Sequence, residues 1–351
     1  MWRPADAGFL FLQFYCSRFI FDSRRCIESP QAGVFIMNWI VIGVGDIATR
    51  RVIPAIQSEP RSGLYGLVTR DPVKAAAFGV RVWKDLGDAL RDPAVDAVYV
   101  ATPVFLHAPQ AIASLRAGKH VLCEKPMSMN ESESRLMVQA AKESNRTLGV
   151  AYYRRTYPKL KRAKELMASG AIGQPVVAEL TSHGWFDGKA SAGKEHDRSW
   201  LLDPSKAGGG PLFDIASHRI DALNFLFGQP LRVASQLSNA LHHYAVEDNA
   251  TVLIEYSGGV RAVVDVRWHS KVARDECRIR GTEGELDLTP LNGAELRYPG
   301  GSENLPPHAN LHYPIIENFV NSVLDGVPPI ASGASSYWTD WVLEQAQRQE
   351  N

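Results

Sequence analysis

The sequence predicts an α/β protein: an N-terminal, doubly wound parallel sheet is followed by an α+β domain with an open, mainly antiparallel sheet. Three observations lead to this prediction. Residues 38–48 are a short apolar run that breaks into closely spaced glycines, as a buried strand turning into a helix does. Apolar runs and helical segments then alternate as far as residue 151. From residue 152 onward, several runs alternate apolar with polar residues, which is typical of half-exposed antiparallel strands.

The glycine-rich segment predicts a phosphate-binding turn. Gly43 allows a tight turn, Gly45 lets the backbone approach a pyrophosphate, and Ala48 keeps the helix close to its strand. Asp46 and Ile47 supply free N–H groups at the helix start, which face the anion. A second strand at residues 64–68 follows at the distance that a βαβ unit requires. Residues 38–151 are therefore predicted to be a dinucleotide-binding domain of the Rossmann type.

The end of the second strand bears on the choice of cofactor. NAD sites usually carry Asp or Glu there, whereas a nearby Arg accommodates the 2′-phosphate of NADP. This chain has Thr69 and Arg70 at that position. Asp71 precedes Pro72 and is well explained as a helix N-cap. NADP is therefore favoured over NAD, although Arg70 has the alternative explanation of an ordinary surface residue.

Length, charge and composition bound the class of protein. At 351 residues with 45% hydrophobic content, two domains are expected. Lys plus Arg and Asp plus Glu both total 38, so no net field favours nucleic acid or a membrane surface as a partner. The cysteines are scattered, without the spacing of zinc sites or disulfide frameworks, and no later segment is long and apolar enough to span a membrane. We expect a cytoplasmic protein.

The elements of the first domain follow in alternation. Residues 1–37 do not resemble the rest of the chain. Met37 lies directly before the first strand, where bacterial-type Rossmann proteins commonly begin. We therefore expect residues 1–37 to be either an extension that reflects a misassigned start codon or a weakly ordered natural segment. Helices are predicted at residues 72–78, 87–91, 105–116 and 130–144, and strands at 95–101, 120–123 and 147–151.

Candidate binding residues lie at the carboxyl ends of two of these strands, where open α/β sheets bind ligands. Ala101, Thr102 and Pro103 end one strand, and His107 follows within the next helix, where it binds cofactor or merely packs. Glu124 and Lys125 end the next strand.

Pro126 follows this pair and disfavours a helical conformation at Lys125. The lysine is thereby held extended beside the expected nicotinamide, although a surface Glu–Lys pair is the alternative explanation.

The second domain is predicted over residues 152–351. A helix begins after Pro158 and ends near residue 170. Strands are predicted at residues 176–182, 231–236, 250–256, 260–268, 276–280 and 285–288. Between the first two of these strands, three glycines lead into a helix on which Asp214, His218 and Asp221 share one face at 3.6 residues per turn. Such a face either lines a cleft or is simply the wet side of an amphipathic helix.

Together these motifs resemble the glucose–fructose oxidoreductase and inositol dehydrogenase family, known as Gfo/Idh/MocA. The resemblance covers residues 38 to the C-terminus and rests on the residues named above together with Arg154, Arg155 and the glycines at 208–210. Val104 departs from it, since the family commonly has Asn there.

The resemblance implies a site and a reaction. Lys125, Asp214 and His218 would form the catalytic set, Trp200 would lie near the substrate, and Arg155 would join the cofactor contacts. The activity implied is NAD(P)-dependent oxidation or reduction of a sugar, polyol or related cyclic alcohol or ketone.

The residue types suit that chemistry, because hydride loss from a secondary alcohol needs a base and a cation beside the oxygen. His218 would accept the proton, Lys125 would stabilise the alkoxide, and Asp214 would orient His218 and favour its charged form.

Two alternatives remain open: a redox-neutral glycosidase that uses NAD transiently, and a non-catalytic dinucleotide sensor. No metal is expected, because the remaining histidines lack ligand spacing. We expect a small-molecule substrate and a homo-oligomer assembled through the C-terminal sheet.

Overall fold

The computed structural model describes residues 36–186, 188 and 198–348. Its first sheet is parallel throughout and has the strand order β3-β2-β1-β4-β5-β6, which is the doubly wound order of dinucleotide-binding domains. The predicted fold class is confirmed. The strands are β1 (Met37–Ile42), β2 (Ser62–Val68), β3 (Arg81–Trp83), β4 (Ala97–Val100), β5 (His120–Cys123) and β6 (Leu148–Val150). β3, a three-residue edge strand that is largely exposed, was not predicted.

The helices of this domain begin where the sequence places capping residues. Asp71 accepts a hydrogen bond from the Val73 amide (3.1 Å), as predicted for an N-cap, and Asn130 accepts one from the Glu133 amide (2.9 Å). A π-helical segment (Ala48–Val52) leads directly into α1, and a 3₁₀ turn (Val104–Leu106) leads into α4. The helices are α1 (Ile53–Ser58), α2 (Pro72–Ala76), α3 (Leu86–Leu90), α4 (His107–Arg116) and α5 (Glu131–Ser144).

The second sheet has the order β14-β13-β12-β11-β7-β10-β9-β8, in which only the β7–β10 pair is parallel among the described strands. Along β10, Val264 is fully buried while Val263 and Asp265 on the opposite face are partly exposed, so one face of the sheet carries the core. The strands are β7 (Pro175–Trp185), β8 (Pro230–Ser238), β9 (Asn249–Tyr256), β10 (Arg261–Arg267), β11 (His269–Gly281), β12 (Glu285–Asp287), β13 (Glu295–Tyr298) and β14 (Gly301–Asn304). The last two were not predicted.

The helices that follow residue 151 serve both sheets. The second sheet packs against α6 (Pro158–Ala168), α8 (Ser217–Phe227) and α10 (Gly333–Arg348), whose apolar side chains share its core, and the short α7 (Pro204–Ala207) lies between α6 and α8 along the chain. In contrast, α9 (Tyr313–Leu324) packs into the core of the first sheet, where the rings of Phe319 and Trp39 lie 5.3 Å apart. α9 lies within the predicted range of the second domain, residues 152–351, and covers the first sheet. No local pattern tells an apolar helix which sheet it will cover.

Two segments discussed from the sequence lie mostly outside the described residues. Of the predicted extension, residues 1–35 lie outside the described residues, but Met37 is fully buried in β1 and donates its amide to the Arg61 carbonyl (2.8 Å). Met37 therefore belongs to the first sheet. Most of the charged stretch at residues 184–198 also lies outside the described residues. No helix among the described residues is long and apolar enough to cross a membrane.

Candidate active site

The glycine turn after β1 has the geometry that a dinucleotide requires. Gly43 adopts φ +89°, and a Cβ there would lie 2.7 Å from the Ala101 carbonyl oxygen, so only glycine lets the turn pack against the end of β4. A Cβ on Gly45 would meet no atom within 4 Å, so the backbone faces open space. Asp46 and Ile47 begin the helix there, and helix starts leave N–H groups free for an anion. The residues present fit a nicotinamide dinucleotide.

The segment after β2 leaves a cation exposed at the edge of this turn. The Thr69 hydroxyl accepts a hydrogen bond from the Asp71 amide (3.1 Å), which closes the turn, while the Asp71 carboxylate caps α2. Arg70 lies between them, is exposed, and makes no hydrogen bond or ion pair with any described residue. Its guanidinium is therefore uncommitted at the position that distinguishes NADP from NAD.

His107 joins the two loops that follow β4 and β5. It is buried, with Nε2 2.8 Å from the Thr102 carbonyl oxygen and Nδ1 2.9 Å from the Pro126 carbonyl oxygen. Burial lowers the pKa of His107. Because both ring nitrogens face protein carbonyls, the side chain positions the Thr102–Pro103 and Lys125–Pro126 segments, and packing is the better description of its role.

Glu124 anchors the loop that carries Lys125. Its Oε1 accepts hydrogen bonds from the Tyr99 hydroxyl (2.6 Å) and from Nε2 of His312 (3.1 Å), and its Oε2 accepts from the Lys125 amide (3.2 Å). Burial would raise the pKa of Glu124, but the hydrogen bonds and charge of His312 and the hydrogen bond of Tyr99 outweigh burial and lower the pKa to about 2. Glu124 is thus an ionised, buried anchor beneath Lys125.

Lys125 meets the second domain at Asp214. Its Nζ donates to the Asp214 backbone carbonyl (2.8 Å) and lies 3.3 Å from Oδ1 of the same residue. Arg198 approaches the other carboxylate oxygen at 3.5 Å. Burial would raise the pKa of Asp214, but the charges of Lys125 and Arg198 outweigh burial and lower it. Lys125 follows β5 of the first sheet, and Asp214 lies in the turn before α8, which packs on the second sheet, so this contact joins the two parts of the chain.

His218 lies beside this pair at the start of α8. Its ring is buried, packs edge-on against Tyr152 (6.1 Å) and Tyr153 (5.1 Å), and its Nδ1 has no hydrogen-bond partner among the described residues. Burial is the main cause that lowers the pKa of His218, followed by the positive charges of Arg154 and Lys125. The imidazole is therefore neutral near pH 7 and able to accept a proton.

The predicted role of Asp214 toward His218 is not seen. No hydrogen bond joins the two side chains in the described structure, and the Asp214 carboxylate faces Lys125 and Arg198 instead. Residues Leu212–Ala216 form a π-helical turn before α8 begins, and the Asp214 carboxylate in this turn is held by the charges of Lys125 and Arg198. Asp214 is therefore a partner of Lys125.

Asp221 does not share the face of the cleft either. It is fully buried and accepts both hydrogen bonds of a bidentate pair from Arg155 (2.6 and 2.9 Å). Arg155 also donates to the Ile330 carbonyl (3.0 Å) and the Ser335 hydroxyl (2.8 Å). The structure thus places the Arg155 side chain in a buried network and not with the predicted cofactor contacts.

Trp200 lies in a 3₁₀ turn (Ser199–Leu202) and packs in a small apolar cluster with Phe186 and Trp268. Its neighbour Arg198 reaches the site, as described above. Among the described residues, the Trp200 ring makes no ring contact with Lys125 or His218.

Several residues of this site had no predicted role. Arg154 was named only as part of the family resemblance, Tyr153 precedes it, and Arg219 follows His218, so adjacency was the available signal for these. Tyr99, Arg198 and His312 carried no local signal, since each reaches the site through the tertiary fold alone. No group of three or more His, Cys, Asp or Glu side chains in the described ranges could hold a metal ion.

Comparisons with known proteins identify the same two parts. A family model described as an oxidoreductase family with an NAD-binding Rossmann fold matches residues 37–152, and one described as the GFO/IDH/MocA C-terminal domain matches residues 160–287. The chain is 31% identical to 1,5-anhydro-D-fructose reductase of Ensifer adhaerens, over 86% of this chain and 92% of that protein. It is 27% identical to the NADP(+) D-xylose 1-dehydrogenase of Haloarcula marismortui, over 76% of each chain.

A solved structure agrees with the fold. The aldose–aldose oxidoreductase from Caulobacter crescentus, solved with glycerol, is 26% identical and superposes with a TM-score of 0.79, over 90% of this chain and 97% of that one. Both domains match the family. The structure adds to these matches a dinucleotide-binding turn, a contact between Lys125 and Asp214, and a buried neutral histidine. The chain is a member of the Gfo/Idh/MocA family and an NAD(P)-binding oxidoreductase that acts on CH–OH groups.

Proposed function

We propose that the protein is a dehydrogenase or reductase that moves a hydride between a nicotinamide and one carbon of a sugar, polyol or related cyclic alcohol or ketone. The observation that carries this proposal is the contact between Lys125 and Asp214, 2.8 Å from Nζ to the carbonyl oxygen, with the neutral imidazole of His218 beside it. A cation and a base at one point of a cleft are what alcohol oxidation requires.

Each residue takes one task in this proposal. The bound nicotinamide supplies the hydride acceptor or donor. Lys125 faces the reacting oxygen and stabilises negative charge on it, while His218 accepts the proton. Asp214 holds Lys125 in place through two contacts. Glu124 and His107 hold the loop that carries Lys125, through contacts with the Lys125 amide and the Pro126 carbonyl.

The substrate class is proposed from relatives. Two relatives are named for reactions of sugars: 1,5-anhydro-D-fructose reductase and D-xylose 1-dehydrogenase. The loop at residues 184–198, which would distinguish between sugars, lies mostly outside the described residues.

The cofactor preference proposed is NADP. The uncommitted guanidinium of Arg70 supports it, because arginine meets phosphate oxygens through bidentate, charge-assisted hydrogen bonds. A relative whose name specifies NADP(+) is consistent with this choice.

We also propose a homo-oligomer assembled through the outer face of the second sheet. On that face Glu179, Thr181 and Arg278 project from neighbouring strands and line a shallow depression, opposite the face that carries the core. Light scattering after gel filtration measures the mass; a monomer would contradict the proposal.

The reaction is tested by a substrate screen. The full chain is incubated with NADP or NAD and with sugars, polyols or dihydrodiols, and nicotinamide absorbance is followed. A stoichiometric change with substrate is expected. Sugar turnover without a net absorbance change would identify a redox-neutral glycosidase instead, and cofactor binding without turnover of any substrate would identify a sensor.

A further inference from the structure

The surroundings of His218 carry an excess of positive charge. Besides Lys125, the buried side chains of Arg154 and Arg219 face it, and both lower its pKa. Their guanidinium groups are also close enough to influence each other, since burial and then the charge of Arg154 lower the pKa of Arg219 to about 10. Arg219 remains charged at neutral pH. His312 adds to the same effect on His218.

The carboxylates nearby do not balance this charge. Asp214 is shared between Lys125 and Arg198. Asp275 accepts from Arg219 at 3.0 Å and from the amide and side chain of Asn292 (3.0 and 2.8 Å). Each carboxylate is thus already committed.

Arg154 is the cation left over. It is only 7% exposed, and within the described ranges it forms no ion pair. Its hydrogen bonds go to two neutral groups, the Tyr153 hydroxyl (3.2 Å) and the Asn292 side-chain oxygen (2.8 Å), and its buried Nε has no partner among the described residues. Buried charges in proteins are normally paired, because removal from water is costly.

Arg154 also lies next to the reacting group. Its Cζ is 5.1 Å from the centre of the Tyr153 ring, and the His218 ring is 5.1 Å from the same centre. Arg154 and His218 therefore contact the same tyrosine ring, which places an anion bound at Arg154 in the neighbourhood of His218. That anion would also relieve a conflict in the mechanism, since a proton placed on His218 otherwise meets only cations.

We propose that the substrate is an acidic sugar, whose carboxylate binds Arg154 while its reacting hydroxyl lies between Lys125 and His218. This inference rests on the proposed sugar oxidoreductase function and narrows it to uronic or aldonic acids. A carboxylate is favoured because it matches the planar fork of one guanidinium in a bidentate pair. Asp214 and Asp275 at the edges of the cluster disfavour a doubly charged phosphate.

The test compares ligands that differ only in the acid group. The full chain is loaded with reduced nicotinamide cofactor, so that no hydroxyl is oxidised, and titrated calorimetrically with two pairs: D-glucuronate against D-glucose, and D-gluconate against D-glucitol. Nicotinamide absorbance is followed in parallel, because the two aldoses carry a latent aldehyde that a reductase would reduce. In at least one pair the acid is expected to bind about 10-fold more tightly or better, as a charged contact of this kind adds. Equal affinity within both pairs, or no binding of either acid, would overturn the inference.

Variants assign the preference to Arg154. Arg154→Gln should reduce the acid-to-neutral ratio to near one, and Arg154→Lys, which keeps the charge but not the fork, should retain part of it. Arg162→Gln is the matched control, since Arg162 pairs with Glu165 and Glu303 on the surface. Melting temperature and cofactor affinity show that each variant is folded. A preference that survives in Arg154→Gln would overturn the assignment.

The outcomes separate this inference from the proposed reaction. If neutral sugars and their acids reduce the nicotinamide equally well, the reaction stands and the acidic substrate class falls. If acids bind with Arg154-dependent preference and no ligand is turned over, the ligand class stands and the reaction falls. Tighter binding of D-glucose 6-phosphate than of D-glucuronate would overturn the choice of a carboxylate.

Discussion

Lys125 donates a hydrogen bond from Nζ to the backbone carbonyl of Asp214 over 2.8 Å, although 89 positions separate the two residues in the chain. The contact joins the end of β5 to the turn that leads into α8. It therefore places the one cation that the sequence assigned to the nicotinamide face beside the histidine of the second domain. The mechanism proposed here depends on this junction.

Loss of Lys125 or His218 should slow the chemical step. If both act on one substrate oxygen, Lys125→Ala and His218→Ala should each lower kcat by about 10²-fold or more, with cofactor affinity little changed. The double variant should lose less than the product of the two single losses. Single-turnover rates check this, with exposed Lys161→Ala as the control. Multiplicative losses would show that the residues serve separate steps.

Arg70→Ala should weaken NADP selectively. The guanidinium is exposed and uncommitted among the described residues, so its removal should cost the phosphate contact without disturbing the turn. A loss of about 10-fold or more in NADP affinity, with NAD affinity unchanged, is expected for a charge-assisted bond. Fluorescence titration of both cofactors measures the ratio. A native preference for NAD would refute the assignment at this strand end.

The buried pair of Arg155 and Asp221 should govern stability and not cofactor affinity. Asp221→Asn leaves a buried guanidinium without its charge partner, which should reduce the free energy of unfolding by about 3–5 kcal/mol. Glu303→Gln, in a surface pair with Arg162, should leave the free energy of unfolding nearly unchanged. Urea unfolding and cofactor titration are compared for both variants. A stable Asp221→Asn protein with weak cofactor binding would restore the predicted cofactor role of Arg155.

Glu124 should stabilise the protein in a pH-dependent way. Its pKa is about 2 in the folded protein against an ordinary value of 4.5. A carboxyl with a lowered folded pKa contributes stability that is present above the unfolded pKa and is lost as pH falls from about 4.5 toward about 2, here on the order of 3 kcal/mol.

Urea unfolding of the native protein and Glu124→Gln, from neutral pH down to about pH 3, compares the two. The native protein should lose its advantage below about pH 4.5. A gap that stays constant with pH would mean that Glu124 is not ionised in the fold.

Much of the molecule was readable from the sequence. The parallel sheet, the glycine turn and the N-cap at Asp71 follow from local properties, namely apolar periodicity, backbone freedom at Gly43 and short-range hydrogen bonds. The edge strands β3, β13 and β14 were not predicted because each is only three or four residues long, which is too short for a periodic signal.

The sequence by itself indicated Lys125 at a strand end and His218 on a helix, because strand ends and helix starts follow from local patterns. Only the tertiary structure decided their partners. Asp214 pairs with Lys125 over 89 positions, Asp221 with Arg155 over 66, and Glu124 with His312 over 188. Burial then decides the protonation of each group, and burial depends on how the two sheets and their helices pack together.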